Sequence, residues 1–377
     1  MKYLIGCFYF LIFSAQAQNT LADGDKSYAL GNFSKAITIY ESLPVTKEQQ
    51  LKLAKSYEQI GNLKKALTHY ENLFTVYPED IFVAYEYSKL LRKTANNTKA
   101  EEIIKSLIVL DSLNPNFPYL LGLIQEQKDD TLSKHYFKKA YDLDANHIPA
   151  LGKVATFYIK ERHFSEADSL LTKGLKIDDS NFQLWNLKAL NHFYQKDFHK
   201  SVESYKKLLE LHRPSENVHQ KLGYAYIQTN RYEEAIEHYR IAINEYEDQN
   251  PLTHYEIAQA YIALHYLDKA KRHIEIAMLL KEPQLDNEYL ALMEIYLRQK
   301  DFKKNFETTR MALSHNPENE MFLYRQAVAA DNYLKDKSTV ITYYENYMAK
   351  FGETGRFRIL TAQRISDLKK EIHMAKD

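Results

Sequence analysis

The chain has 377 residues, with 50 basic and 50 acidic side chains and a pI near 7.2. That balance supplies no basic excess to neutralise phosphates, which argues against a nucleic-acid protein. A hydrophobic content of 45% and a charged content of 27% belong to a folded globular chain rather than a disordered one.

The chain opens on a targeting pattern. Lys2 supplies a positive start, Leu4 to Phe13 is an apolar run of ten, and Ser14-Ala15-Gln16-Ala17 ends in an A-x-A signal. Residues 1–17 therefore read as a signal peptide cleaved before Gln18. The run is too short for a membrane span, which needs about 20 apolar residues. Leu4-Ile5-Gly6-Cys7 resembles a bacterial lipoprotein box, but the apolar run mostly follows Cys7, whereas that signal needs it before. Ordinary export to the periplasm or cell envelope is the expectation, without lipid anchoring or a span in the mature chain. Cys7 is the only cysteine. Its removal leaves no disulfide, thiolate nucleophile or Cys-ligated metal site, which suits an oxidising compartment.

From there a period takes over. Only 10 glycines and 9 prolines are present, so turn residues are scarce and long helices are favoured. Ala66, Ala100, Ser133, Ala167, Ser201, Ala235, Ala270, Asn305 and Val340 are spaced by 34, 33, 34, 34, 34, 35, 35 and 35. Around each marker lies a pair of predicted helices. The first pair (Tyr28, Gly31, Phe33, Ala36, Tyr40) has a stunted first helix. The next has Leu53-Ala54, Tyr57, Gly61, Ala66, Tyr70 and Pro78. Further units carry Val154-Ala155, Tyr158, Phe164 and Ala167, then Trp185, Ala189, Phe198 and Tyr205. The clearest reads Leu222-Gly223, Tyr226, Tyr232, Ala235, Tyr239 and Ala242. Another has Ile257-Ala258, Tyr261, Ala270 and Ala277.

This pattern resembles the tetratricopeptide repeat, a 34-residue helix–turn–helix. About ten units over residues 18–350 are implied. The resemblance implies an all-α fold, a right-handed superhelical solenoid. Departures are visible: Lys188 and His192 stand where apolar and aromatic residues belong, the unit near Leu121-Gly122 and Ala140 is one residue short, and the last two units are degenerate. Such helix pairs cannot bury their apolar stripe alone and must stack. After a loop at 351–356, a last helix from Phe357 to about Ala375 puts Leu360, Ile365, Leu368 and Ile372 on one face. With residues 351–377 it serves as a C-terminal cap.

A search for chemistry assembles no site. H-E-x-x-H, G-x-x-x-x-G-K and G-x-S-x-G are absent. The 14 histidines show no ligand spacing; His192 and His199, and His212 and His219, straddle turns. Acid pairs such as Asp129-Asp130, Asp178-Asp179 and Glu233-Glu234 fall at turns and helix starts, where the macrodipole favours them. No enzyme, cofactor or metal is expected.

The resemblance also implies that first helices line a concave groove. Matching positions give Lys52, Lys55, Phe82, Tyr85, Lys89, Arg92 and Lys93 early in the chain. The middle gives Leu190, Phe193, Tyr194, Tyr224, Ile227, Tyr255 and Ile262, and the C-terminal part Glu294, Arg298 and Arg325. The groove would be basic at its start and aromatic or aliphatic in its centre. The family's clamp for a terminal carboxylate is not reproduced: Lys55 and Lys89 stand where asparagine belongs, and Leu51 and Tyr85 where lysine belongs. Two uses are open for the central rings, seam packing or partner recognition, and two for the basic cluster, a solvated face or a contact. The expected role is a protein-binding scaffold of a bacterial envelope assembly. The alternative is an accessory protein that binds or exports anionic glycan. Within Gly223–Tyr239, Tyr226, Tyr232 and Tyr239 are expected to pack, and Tyr224 alone to face a partner.

Overall fold

A computed structural model describes residues 20–375 apart from 127, 247, 248, 282 and 283. The signal-peptide reading and Cys7 lie outside the described residues. Twenty-one α-helices and no strand occur among those described. The chain divides into two compact units, the first ending at Glu161 and the second beginning at Arg162.

Unit 1 holds α1 (Leu21–Ala29), α2 (Phe33–Glu41), α3 (Lys47–Gln59), α4 (Leu63–Val76), α5 (Ile81–Lys93), α6 (Asn97–Leu110), α7 (Asn116–Gln125), α8 (Asp130–Leu143) and α9 (Ile148–Lys160). Unit 2 holds α10 (Phe164–Ile177), α11 (Phe182–Gln195), α12 (Phe198–Glu210), α13 (Glu216–Gln228), α14 (Tyr232–Glu245), α15 (Pro251–Ala263), α16 (Leu267–Leu280), α17 (Asp286–Arg298), α18 (Phe302–His315), α19 (Glu320–Tyr333), α20 (Lys337–Phe351) and α21 (Arg358–Met374). Each helix packs on its chain neighbours within its unit, and odd helices also touch one another, α5 on α7, α13 on α15 and α15 on α17. Each unit is an all-α repeat solenoid. The short α1, of 9 residues, and α7, of 10, account for the stunted first helix and the short unit in the sequence.

The 34-residue markers sit at the tightest packing points. Ala66, Ala100, Ser133, Ala167, Ser201, Ala235 and Ala270 are all 0% exposed. A small residue there lets the two helices of a pair approach, and a large one four residues on fills the space beside it: Tyr70, Phe137, Tyr205 and Tyr239 are also 0% exposed. Two polar markers, Ser201 and Asn305, donate to the paired helix twelve residues back, while Ser133 donates within its own helix to the Asp130 carbonyl. Ser201 Oγ reaches the Ala189 carbonyl at 3.2 Å, and Asn305 Nδ2 reaches that of Met293 at 2.5 Å. The degenerate unit at Asn305 thus keeps its buried polar group satisfied.

The turns carry a second period. Gly31, Gly61 and Ala95 in unit 1, and Lys196, Asn230, His265 and Lys300 in unit 2, all have positive φ between 57° and 77°. A left-handed residue reverses the chain between paired helices. Only two of these seven are glycine, so glycine content alone marks few of the turns.

The Lys188 and His192 departures are explained by one acid. Asp168 on α10 lies 3.2 Å from Lys188 Nζ and 3.1 Å from His192 Nε2, and Lys188 also donates to Thr172 Oγ1 at 2.6 Å. At the other end, α21 covers α20: Leu368 is buried, with Ile365 and Ile372 beside it, against Val340, Ile341 and Tyr344. Leu360 is instead 60% exposed, a correction to the predicted apolar face. Thr361 is buried in its place, because the contacting stripe runs 361, 365, 368, 372. Arg364 on α21 grips Asp331 of α19 through Nε at 2.6 Å and Nη2 at 3.0 Å.

Candidate functional site

The predicted face residues fall in both units. In unit 1, Lys55 Nζ lies 4.9 Å from the centre of the exposed Phe82 ring, which joins α3 to α5. Tyr85 is half-buried and packs on Phe117 of α7 at 5.9 Å. Burial pushes its hydroxyl up to about 12. Much of the predicted basic charge is already matched. Lys52 holds Asp25 at 2.6 Å and Glu48 at 3.3 Å; Lys89 holds Glu86 at 3.0 Å; Lys93 holds Glu58 at 3.1 Å. Glu48 and Glu86 sit on the same helices as their lysines, whereas Asp25 on α1 and Glu58 on α3 reach across from the preceding first helix. Arg92 is exposed.

Unit 2 gathers its rings more closely. Phe193 on α11 lies 5.3 Å from Tyr224 on α13, 6.0 Å from Tyr194 and 5.7 Å from Phe198. Tyr224 also meets Phe198 at 5.8 Å. Lys221, one turn before Tyr224, puts its ammonium 4.3 Å from the centre of the Phe193 ring. Tyr194 is 54% exposed at the edge of this cluster. The result is a ledge with a packed aromatic floor, one open phenol and one cation. Its floor is fixed by ring-on-ring contacts, and Lys221 gains from the π-face beneath it.

The remaining positions divide. Leu190, Ile227 and Tyr255 are half-buried, and Ile227 and Tyr255 lean on the core. Ile262 is only 3% exposed, so the structure places it in the core rather than on a face. The α17 helix passes over it, and Arg298 Nη1 donates to its carbonyl at 3.1 Å. Arg298 also pairs with Glu294 at 2.7 Å. Arg325 is exposed.

Sequence reasoning missed three parts of this face. Lys221 was readable as the residue three before Tyr224, on the same side of the helix. Phe198 served there only as a repeat marker. Glu256 on α15 is the third: it accepts the Tyr239 hydroxyl. Burial raises its pKa, against the lowering by Tyr239 and by Lys221.

One polar cluster has the residue types of a hydrolase triad and lacks the access for it. His192 joins Asp168 at 3.1 Å and Ser204 Oγ at 3.4 Å, but Ser204 is 3% exposed and gives its proton to the Lys200 carbonyl at 2.9 Å. A nucleophile needs a free path to its target. Among the described residues no group of three or more His, Cys, Asp or Glu side chains could hold a metal ion, and no helix is long and apolar enough to cross a membrane.

Residues 186–251, which contain the ledge, and residues 50–80 each match a sequence model described as "Tetratricopeptide repeat". These stretches carry tetratricopeptide repeats. The chain is 28% identical over 114 residues to the anaphase-promoting complex subunit CDC16 of Saccharomyces cerevisiae, covering 28% of this chain and 14% of that protein. It thus spans about one seventh of that relative's length. Among solved structures, a tetratricopeptide repeat protein from Parabacteroides merdae is 11% identical, with 66% of this chain and 98% of that one covered and a TM-score of 0.44. PilW, a type IV pilus biogenesis factor, is 14% identical, with 58% and 99% covered and a TM-score of 0.48.

Proposed function

We propose that the chain is a non-enzymatic scaffold that binds another protein, and that the ledge on α11–α13 is the main contact. The supporting observation is the exposed Tyr194 phenol beside the Phe193–Tyr224 pair, with Lys221 held over Phe193. A rigid aromatic surface with one cation suits an extended or helical segment that offers an apolar side chain next to an acidic one. The tetratricopeptide repeats support a protein partner over a substrate. The anionic-glycan alternative loses support in unit 1, where Lys52, Lys89 and Lys93 each hold a carboxylate. The proposal includes export to a bacterial envelope compartment, which rests on the leader pattern of residues 1–17.

The test is crosslinking of the tagged full chain in its native envelope, followed by mass spectrometry. The comparison is a Tyr194→Ala/Lys221→Glu double variant. Proteins captured by wild type and lost from the equally folded variant support the ledge. Identical capture by both removes it as the contact.

A further inference from the structure

Unit 2 repeats one arrangement that the ledge does not use. His219 on α13 and His238 on α14 bring their Nδ1 atoms to 3.0 Å, and His254 on α15 and His273 on α16 do the same at 3.0 Å. Both members of the second pair stand 35 residues after those of the first. His238 stacks on Tyr226 at 5.5 Å and 5°, and His273 on Tyr261 at 5.6 Å and 22°. His219 and His254 are buried. Unit 1 builds the equivalent place differently. There His69 Nδ1 faces Gln50 Oε1 at 2.7 Å, and His69 stacks on Tyr57 at 5.5 Å.

The gap between two facing Nδ1 atoms has room for one proton. One ring donates and the other accepts, and the helices are joined. When both rings are protonated, two donors and two like charges face each other away from solvent, and the contact becomes repulsive. We propose that the two histidine pairs form an acid-sensitive lock on α13–α16, closed while each gap holds one proton and released when both rings of a pair are protonated.

The surroundings support this. His238 is held down to about 4 by burial and by His219; Lys206 on α12 adds to the effect, and Glu234 on α14 opposes it. His219 is lowered by burial against Glu245 on α14, with Tyr246 beside its ring at 6.0 Å. His273 is also held down to about 4, by burial, by His254 and by Arg272 on its own helix. His219, His238 and His273 therefore bind fewer protons in the folded chain than in the unfolded chain below about 6.5. Their contribution to stability is complete above about 6.5 and falls as pH drops toward about 4. Each excluded proton raises the unfolding constant about tenfold per pH unit. Because α13 carries Tyr224 and Lys221, release would reach the proposed ledge, but the lock is a property of the helices and stands without a partner.

The experiment is urea unfolding of the full chain from about pH 7.5 to about pH 5 in chelator-containing buffer. The readout is Trp185, the only tryptophan, which packs on the core cluster shared by α13–α16. The comparison is His219→Gln/His254→Gln, which copies the Gln50–His69 pairing of unit 1. Wild type should lose stability steeply with acid, and the variant should do so with a measurably shallower slope, the remainder coming from buried histidines that both share, His69, His147 and His192 among them. Equal slopes overturn the lock. If the variant fails to fold, proton NMR titration of wild type decides: pair histidines that titrate at or above about 6.5 overturn it, and values depressed well below support it.

Discussion

Gly223 on α13 leaves open the space that the Tyr239 ring of α14 occupies: a β-carbon at 223 would lie 2.7 Å from that ring. Gly24 with Tyr40, at 2.2 Å, and Gly122 with Phe137, at 2.6 Å, repeat the relationship. In an ordinary helix, alanine for glycine gains ~0.5–1 kcal/mol. Here the overlap falls on a ring that is 0% exposed and cannot move aside, so the sign reverses. Gly223→Ala is expected to lose ~1–3 kcal/mol in urea unfolding. A raised midpoint would refute the close approach.

Tyr224 and Tyr226 differ by role on one helix. Tyr226 is 3% exposed, while Tyr224 is half-buried against Phe193 and Phe198. Tyr226→Ala should cost ~3–5 kcal/mol and Tyr224→Ala ~1–2 kcal/mol. Matching losses in parallel denaturation curves would erase the division.

Asp168 is the carboxylate that faces both polar departures of α11, 3.2 Å from Lys188 and 3.1 Å from His192. Asp168→Ala removes the carboxylate beside the ammonium of Lys188 and the ring of the buried His192, leaving them Thr172 and Ser204. The expected loss is ~1–3 kcal/mol. Adding Lys188→Met should recover part of it, and a strictly additive double variant would show that the two groups are not coupled.

Tyr239 donates to Glu256, whose pKa burial raises. A carboxyl raised in the fold binds more protons folded than unfolded, so its contribution falls as pH rises above the ordinary 4.5. Removing the hydroxyl raises Glu256 further. Tyr239→Phe should therefore cost ~1–3 kcal/mol at neutral pH and less near pH 4. Measuring the difference from wild type at both values checks this, and an equal difference at each would contradict it.

Ala95, Lys196, Asn230, His265 and Lys300 adopt positive φ with a side chain attached. Ala95→Gly should raise stability by ~0.5–1 kcal/mol in thermal melting, because the strain of the left-handed turn exceeds the entropy glycine adds to the unfolded chain. A lowered melting temperature would count against it.

The sequence by itself determined the helix pairs, their period and the core. Markers such as Ala66 and Ala235, and large residues such as Tyr70 and Tyr239, are local choices forced by close packing, so spacing along the chain reveals them. Within Gly223–Tyr239 the packing role was legible for Tyr226 and Tyr239, which follow helical periodicity. Only the tertiary structure decided what each polar group on a first helix meets. Lys52 finds Asp25, Lys93 finds Glu58 and Lys188 finds Asp168 across helix boundaries. Ile262 goes inside because Arg298 and α17 lie over it, and Leu360 goes outside by one residue of helical phase. His219 and His238 stand nineteen residues apart on different helices, and only the packing of α13 on α14 brings their Nδ1 atoms together. Burial follows from residue type and period, which the chain writes down. Pairing depends on where two side chains end in space, and that is set by the stacking of helices.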